Sequence, residues 1–473
     1  METKRIICAV CILCGLATRA AAKVTLPSFF GDNMVLQQQT ECRLWGTADK
    51  NKTVTVKTSW DNKTYRTKAD ADGHWEARIQ TAAAGGPYTV TLSDGESLTL
   101  NNILLGEVWI CSGQSNMEMQ MKGFKMQPVE GATEELLSCN DPQLHLFYGK
   151  RRASLTPADD LSGAWHEATA ASVRDFSATA YYFGRALRRT LGIPVGLIVT
   201  AYGGSACEAW MKPEWLRAFP QVQQHITEAD VQRLHQRCPT ALYNGQLRPL
   251  SGYTMRGVIW YQGEDNVNRS DYYAELFSTM IRGWRADWQQ GDFPFYYCQI
   301  APYDYSLIQW PQNSALLREQ QQRVETMVDN ARMAVLMDAG LEYGIHPRKK
   351  REAGERLAIL ALAHTYDVKG LPEFARYSGV EFRGDTAVVS FDRSKEWVYF
   401  QNGPKSQLFE MAGEDRQFHP AEAWVERNRV YVHSEAVSHP VAVRYAFRNW
   451  AIGDLMHDGL PVSSFRTDNW TDE

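Results

Sequence analysis

The sequence predicts an α/β fold, in which a parallel sheet is covered by helices on both faces and β-rich regions flank it. Three observations predict this fold. From about residue 106 to 364, apolar strand-like runs alternate with amphipathic helical patterns, which is typical of a parallel sheet between helices. Before about residue 100, short alternating runs are separated by turn residues. After about residue 370 the same texture returns, and it is typical of antiparallel sheets.

The first β-rich region, residues 23–104, is predicted to form a β-sandwich domain. Runs such as Thr53–Ser59 and Tyr88–Leu92 alternate apolar and polar side chains. Turn pairs such as Asp72-Gly73 separate the runs at intervals of about ten residues. The third region, residues 371–473, has similar runs and is predicted to be a second β-rich module.

The central region, residues 105–370, is predicted to contain the parallel sheet. Its predicted strands are Glu107–Cys111, Val195–Ala201, Gly257–Tyr261, Phe293–Ile300 and Met333–Met337. Two helices lie between them. Ser177 is a predicted cap for one, which ends before Gly192, and Asp271 is a predicted cap for the other.

Residues 1–22 are predicted to be a secretory signal. A basic start precedes an apolar run from Ile6 to Leu16, and three alanines end at Ala22. The run is shorter than the roughly 20 residues that span a bilayer. We therefore expect a secreted or periplasmic protein without a membrane span, cleaved after Ala22. An anchored helix, or a lipid on Cys11 or Cys14, is the alternative.

The net charge and the motifs of the sequence limit the classes of partner and cofactor that we expect. A net charge of −5 without a basic run argues against nucleic acid and anionic membranes as partners. Fifteen Trp and 21 Tyr include flat faces that would suit sugar rings, although most aromatic side chains fill cores. No metal-binding motif and no glycine-rich phosphate loop occurs. The sequence therefore predicts no metal and no cofactor.

Unusual residues follow four of the predicted strands. Ser115 lies just beyond the first strand, Gly203 and Gly204 lie beyond the second, and Gln262 follows the third. His346 lies in the segment after the last strand. Because sites in open α/β sheets form beyond the carboxyl ends of strands, we expect these residues to share one edge. A hydroxyl, an imidazole and amide donors are the groups that acyl transfer requires.

These residues also resemble a known family. Gly113–Asn116, Gly203-Gly204, Trp260–Glu264 and Ile345–Pro347 resemble the four blocks of the SGNH hydrolases, and specifically the sialate O-acetylesterase family of carbohydrate esterases. Further matches in both flanking regions extend the resemblance over nearly all of the chain that follows the signal.

The resemblance implies a fold and a set of roles. The sheet would be of the SGNH type, which is flavodoxin-like. Ser115 would be the nucleophile and His346 the general base. The oxyanion would be bound by the backbone amides of Ser115 and Gly204, with Gly203 as the alternative to Gly204, and by the Gln262 side chain.

The sequence departs from the family at the acid that orients the histidine. SGNH enzymes usually place an Asp two or three positions before the His, where this chain has Gly344 and Tyr343. The orienting group could be Glu342, Asp338, or a backbone carbonyl or water. A carbonyl would fix the tautomer without adding negative charge.

The resemblance therefore implies an exported serine esterase whose partner is an O-acetylated carbohydrate. It would remove acetyl groups from sialic acids through an acyl-enzyme on Ser115. Acetyl-xylan or another acetylated polysaccharide is the alternative substrate. A carbohydrate-binding protein without catalysis is the alternative from another class, because the expected Asp is missing.

Overall fold

The computed structural model describes residues 24–308, 313–393 and 397–470. The predicted signal, residues 1–22, lies outside the described residues. Within these ranges, no helix combines the length and the apolar character needed to cross a membrane. The six cysteines in these ranges are buried and free, so they contribute to packing as small apolar side chains.

The N-terminal region consists of seven strands in two sheets. They are β1 (Val35–Gln37), β2 (Glu41–Thr47), β3 (Thr53–Thr58), β4 (Thr64–Lys68), β5 (His74–Gln80), β6 (Gly85–Ser93) and β7 (Ser97–Gly113). β2 pairs with β5, and the other strands pair in the order β4-β3-β6-β7-β1. Along β5, Trp75, Ala77 and Ile79 are buried while their neighbours are exposed, which is the period-two pattern of a half-buried strand.

β7 connects this region to the central sheet. Its first half pairs antiparallel with β6 from Ser97 to Leu105, and its second half pairs with central strands from Glu107 to Gly113. The predicted boundary between residues 104 and 105 therefore lies inside a continuous strand.

The central sheet adds six strands to β7. They are β8 (Asp141–Tyr148), β9 (Trp165–Ala168), β10 (Val195–Ala201), β11 (Gly257–Tyr261), β12 (Phe295–Cys298) and β13 (Ala331–Ala334). Their order is β13-β12-β11-β7-β10-β8-β9, and every neighbouring pair is parallel except β8 with β9. β10 and β11 are buried along their whole length, which confirms both predicted ranges.

Helices cover both faces of this sheet. The helices of the central region are α1 (Ser115–Glu118), α2 (Ala132–Leu136), α3 (Ala170–Arg174), α4 (Ala178–Leu191), α5 (Pro213–Leu216), α6 (Glu228–Leu234), α7 (Tyr273–Trp288), α8 (Ser314–Met327) and α9 (Lys350–His364). On one face Trp109 of β7 packs against Phe183 of α4, with ring centroids 5.1 Å apart. On the other, Trp260 of β11 packs against Trp284 of α7 at 5.7 Å. The predicted α/β class is confirmed.

One helix cap is confirmed and one is wrong. Ser177 Oγ accepts from the Ala180 amide, and Gly192 ends α4 with φ +70°, as the sequence predicts. α7 begins after Tyr272 without a side-chain cap, because a 3₁₀ segment over Glu264–Tyr272 leads directly into it.

The C-terminal region is a β-rich module of two sheets. Its strands are β14 (Arg376–Arg383), β15 (Thr386–Asp392), β16 (Val398–Phe400), β17 (Lys405–Ala412), β18 (Phe418–Glu426), β19 (Arg429–His433), β20 (Ala442–Tyr445), β21 (Leu455–His457), β22 (Leu460–Pro461) and β23 (Phe465–Arg466). Seven pair in the order β14-β15-β19-β18-β17-β20-β23, and β16, β21 and β22 form a small second sheet. Arg376 binds the buried Glu325 of α8 at 2.8 Å, which attaches the module to the central domain.

Candidate active site

Three parallel strands end side by side at one edge of the central sheet. Ala201 of β10 pairs with Gly113 of β7, and Gly113 pairs with Tyr261 of β11. The residues that follow these strands therefore begin at the same level, as predicted for a site at the carboxyl edge.

The nucleophile candidate lies in the turn after β7. Gly113 has φ +139°, and a Cβ there would lie 2.2 Å from the Tyr261 carbonyl oxygen, so only glycine fits. Ser115 follows as the first residue of α1 and is 8% exposed. The tight turn thus places the Ser115 hydroxyl beside the glycines that follow β10: a Cβ on Gly203 would lie 3.3 Å from the Ser115 Cβ.

Asn116 joins this turn to the segment that carries His346. Its Nδ2 donates to the Ile345 carbonyl oxygen at 3.1 Å. Its Oδ1 accepts from Lys350 Nζ at 2.5 Å. The neighbour of Ser115 is thereby bonded to residues on both sides of His346, so the structure brings the predicted nucleophile and base to the same edge.

The side chain of Gln127 contacts the Nδ1 nitrogen of the His346 ring. His346 Nδ1 lies 2.6 Å from Gln127 Oε1, and the Phe124 ring packs edge-on against the imidazole with centroids 5.1 Å apart. Because an amide oxygen only accepts, the proton of this hydrogen bond belongs to Nδ1, and Nε2 is left with its lone pair.

Neither predicted carboxylate occupies this position. Asp338 accepts two hydrogen bonds of 2.6 Å from Arg356, so its charge is already paired. Glu342 lies beside the Tyr343 hydroxyl, where it raises the tyrosine pKa. In the structure the group in contact with Nδ1 is the Gln127 amide, and the orienting roles of Asp338 and Glu342 stay predictions from the sequence.

Burial and one cation control the charge of the histidine. Burial, with a smaller contribution from Lys350, lowers the pKa of His346 to about 4. Lys350 itself is 1% exposed, and burial lowers its pKa to about 7. His346 is therefore neutral at pH 7, the state that a general base requires.

The buried network behind the site includes a carboxylate. Glu264 Oε1 accepts from Asn116 Nδ2, and burial raises the Glu264 pKa. Asn116 thus lies between Glu264 and Lys350, and this chain of contacts holds the two loops together. Glu264 therefore acts on the arrangement of these loops.

The two glycines after β10 have different amide partners. The Gly203 amide donates to Glu118 Oε2 at 2.8 Å, and Glu118 also pairs with Arg151. Within the described residues, the Gly204 amide donates to no acceptor. Of the two predicted alternatives, Gly204 is thus the one whose amide has no acceptor among the described residues.

Gln262 does not offer a free donor. Its Nε2 donates to the Ser205 carbonyl oxygen at 3.1 Å and to Asn266 Oδ1 at 2.8 Å, while its Oε1 accepts from Tyr273. Both amide hydrogens are thus used within the fold, and the side chain is fully buried. In the structure this amide ties the β10 and β11 loops together, and the oxyanion role of Gln262 stays a prediction from the sequence.

Gly203→Ala is expected to lower kcat/KM by at least about tenfold and, as an overpacked site, to destabilise the fold by about 1–3 kcal/mol, which lowers the thermal melt. An added Cβ would lie 2.8 Å from Glu118 Oε2 and 3.3 Å from the Ser115 Cβ, so it would displace the nucleophile. The measurement is hydrolysis of a chromogenic acetyl ester. Gly379→Ala is the control, because nothing lies within 4 Å of its added Cβ. Unchanged kcat/KM for Gly203→Ala would show that this glycine does not set the position of Ser115.

Comparisons with known proteins agree with the family that the sequence resembles. Residues 105–360 match the family described as carbohydrate esterase, sialic acid-specific acetylesterase. The sialate O-acetylesterase of Rattus norvegicus is 29% identical over 412 residues, covering 73% of this chain and 74% of the relative. The Homo sapiens sialate O-acetylesterase is 29% identical over 385 residues, covering 73% and 71%.

A solved structure is also similar over nearly the whole chain. A carbohydrate acetylesterase from Xanthomonas citri superposes with a TM-score of 0.86 and 36% sequence identity, covering 95% of this chain and 100% of that one. The fold and these similarities define an esterase hydrolase. More particularly, the chain belongs to the carbohydrate esterase family of sialic acid-specific acetylesterases.

Proposed function

We propose that this protein removes O-acetyl groups from sialic acids through an acyl-enzyme on Ser115. Family membership supports carbohydrate O-deacetylation. The observation that carries the mechanism is the meeting of three elements at one sheet edge: the Ser115 turn, the free Gly204 amide, and the His346 segment held by Asn116.

The reaction begins with attack of Ser115 Oγ on the acetyl carbonyl carbon. His346 Nε2 takes the hydroxyl proton, and the negative oxygen is bound by the amides of Ser115 and Gly204. The imidazolium then protonates the departing sugar oxygen, which leaves the acetyl group on Ser115. Water, deprotonated by the same nitrogen, attacks this ester; acetate is released, and the imidazolium returns the proton to the departing Ser115 Oγ. Each oxyanion donor contributes about 3 kcal/mol to stabilising the transition state.

The proposal that the substrate is a sialic acid is supported by positively charged side chains near the site. Arg151 has 52% of its side chain exposed and pairs with Glu118, whose other oxygen accepts from the Gly203 amide. The Glu118 carboxylate thus bridges the Arg151 guanidinium and the Gly203 amide of the glycine loop. Arg237, also half-exposed, pairs with the buried Asp265 of the β11 loop. Partly exposed guanidinium groups fit the carboxylate of a sialic acid, whereas acetyl-xylan carries no such charge.

Competing substrates test this assignment. We expect acetate release from O-acetylated sialic acid with a higher kcat/KM than from acetyl-xylan. Arg151→Met should lower kcat/KM for the sialic acid at least about tenfold relative to that for a neutral chromogenic acetyl ester, which is the internal control. Greater activity on acetyl-xylan would contradict the substrate. Absence of acetate release from all three esters would contradict the function.

The fold type and the location of the protein are parts of the same proposal. When β8 and β9 are set aside as an addition at the edge, the parallel strands follow the order 2-1-3-4-5, which is typical of flavodoxin-like sheets and supports the SGNH assignment. Export after cleavage at Ala22, and division into domains of residues 23–104, 105–370 and 371–473, remain predictions from the sequence.

A further inference from the structure

The segment that contacts His346 is a tight backbone loop. The amides of Phe124 and Gln127 each donate to the carbonyl oxygen of the other at 3.0 Å. Gly123 has φ +78°, and a Cβ there would lie 2.3 Å from the Gln127 carbonyl oxygen. The loop is therefore closed on itself, so that it presents the Gln127 amide and the Phe124 ring to the imidazole from a fixed backbone.

The charged groups near the His346 ring bind partners other than the ring or are exposed to solvent. Lys350 of α9 binds Asn116 Oδ1. Lys349 Nζ donates to the Asp338 carbonyl oxygen at 3.3 Å, and the Asp338 carboxylate pairs with Arg356. On the loop itself, Lys125 is exposed. Among the described residues, no carboxylate hydrogen-bonds to the His346 ring.

We propose that Gln127 is the positioning residue for His346, and that its side-chain carbonyl takes the place that a carboxylate holds in a serine-histidine-acid triad. This inference rests on the proposed function, because it assigns a role within that reaction. The hydrogen bond from Nδ1 fixes the ring orientation and the tautomer, and so directs the basic Nε2 to the Ser115 hydroxyl.

A neutral third member changes the acid-base behaviour of the site. A carboxylate would stabilise the imidazolium by a full opposite charge, whereas the Gln127 carbonyl offers only a dipole. Burial and the positive charge of Lys350 therefore lower the His346 pKa without an opposite charge to offset them, in agreement with a value of about 4. The base stays unprotonated in mildly acidic solution, at the cost of a less stabilised imidazolium.

Gln127→Glu tests this role by supplying the missing charge at the same length of side chain. A carboxylate within hydrogen-bond distance typically raises a partner's pKa by about 1–3 units. The wild-type His346 pKa is about 4, and activity requires the neutral ring, so activity falls as pH drops through that value. In Gln127→Glu the acidic limb of kcat/KM should move up by at least about one pH unit. The same shift is expected in an NMR titration of the His346 ring.

Gln127→Ala and a charge control complete the experiment. Gln127→Ala should lower kcat at pH 7 about 100-fold, with an acidic limb that does not move up. Gln80→Glu, which changes the net charge equally on β5, should leave the limb unchanged. An unshifted limb and His346 titration in Gln127→Glu would overturn the inference, as would wild-type kcat in Gln127→Ala. Because the titration needs no turnover, a wild-type protein that releases no acetate would contradict the proposed function without affecting this measurement.

Discussion

Ser115→Ala is expected to reduce acetate release by at least about 10⁴-fold, as removal of a nucleophile does in serine hydrolases. Ser115 is the hydroxyl at the start of α1, beside the glycine loop of β10. Without it the acyl-enzyme cannot form, and water would have to attack the acetyl group directly. The backbone amides of residue 115 and Gly204 are unchanged, so a small residual rate is expected.

The same substitution should leave the fold intact. The Ser115 hydroxyl makes no hydrogen bond within the described residues, so its removal leaves no buried partner unpaired. We expect an unchanged thermal melt, together with the loss of turnover of a chromogenic acetyl ester.

Ser112→Ala is the matched control for this experiment. Ser112 lies three positions earlier on β7, is fully buried, and its hydroxyl has no partner within the described residues. Replacing such a group with alanine is close to neutral for stability and should leave turnover unchanged. The residual rate expected for Ser115→Ala is far below about 1% of the wild-type rate. Turnover above that level would remove Ser115 from the mechanism.

The parts of the fold that follow from local chemistry could be predicted from the sequence. β10 and β11 are short apolar runs bounded by loop residues, and their observed limits equal the predicted ones. α4 has its signals within the sequence itself, namely Ser177 before the helix and Gly192 after it. Because parallel strands share a direction, the common edge of Ser115, Gly204 and Gln262 also followed from the strand assignments.

The details of the site depend on contacts that no local pattern encodes. Gln127 lies in an irregular loop 219 positions before His346, and a glutamine there carries no signal of its contact with a histidine. Asp338 is one of the predicted orienting groups, but its carboxylate is already paired with Arg356. Gln262 has the right chemistry, but Ser205 and Asn266 accept both of its amide hydrogens. Tertiary partners therefore decide which of several plausible polar groups is free to act.

His346→Ala should lower kcat at pH 7 by at least about 10⁴-fold, because Ser115 then has no base and the leaving sugar oxygen has no acid. The substitution also removes the donor to Gln127 Oε1, a polar atom in a half-buried loop that water can solvate. The expected loss is therefore in kcat, measured as acetate release, with only a small change in the thermal melt. His225→Ala, which removes an exposed imidazole, is the control and should keep wild-type turnover.

The double variant Ser115→Ala/His346→Ala gives the more decisive result. If the hydroxyl and the imidazole act as one unit, removing either abolishes the same step, and the double variant should be no slower than the slower single variant. The rate that remains would come from the oxyanion amides, which neither substitution touches. A further loss of about 10³-fold or more in the double variant would mean independent contributions. In that case His346 would not be the base that deprotonates Ser115, and the two segments that Asn116 joins would serve separate steps.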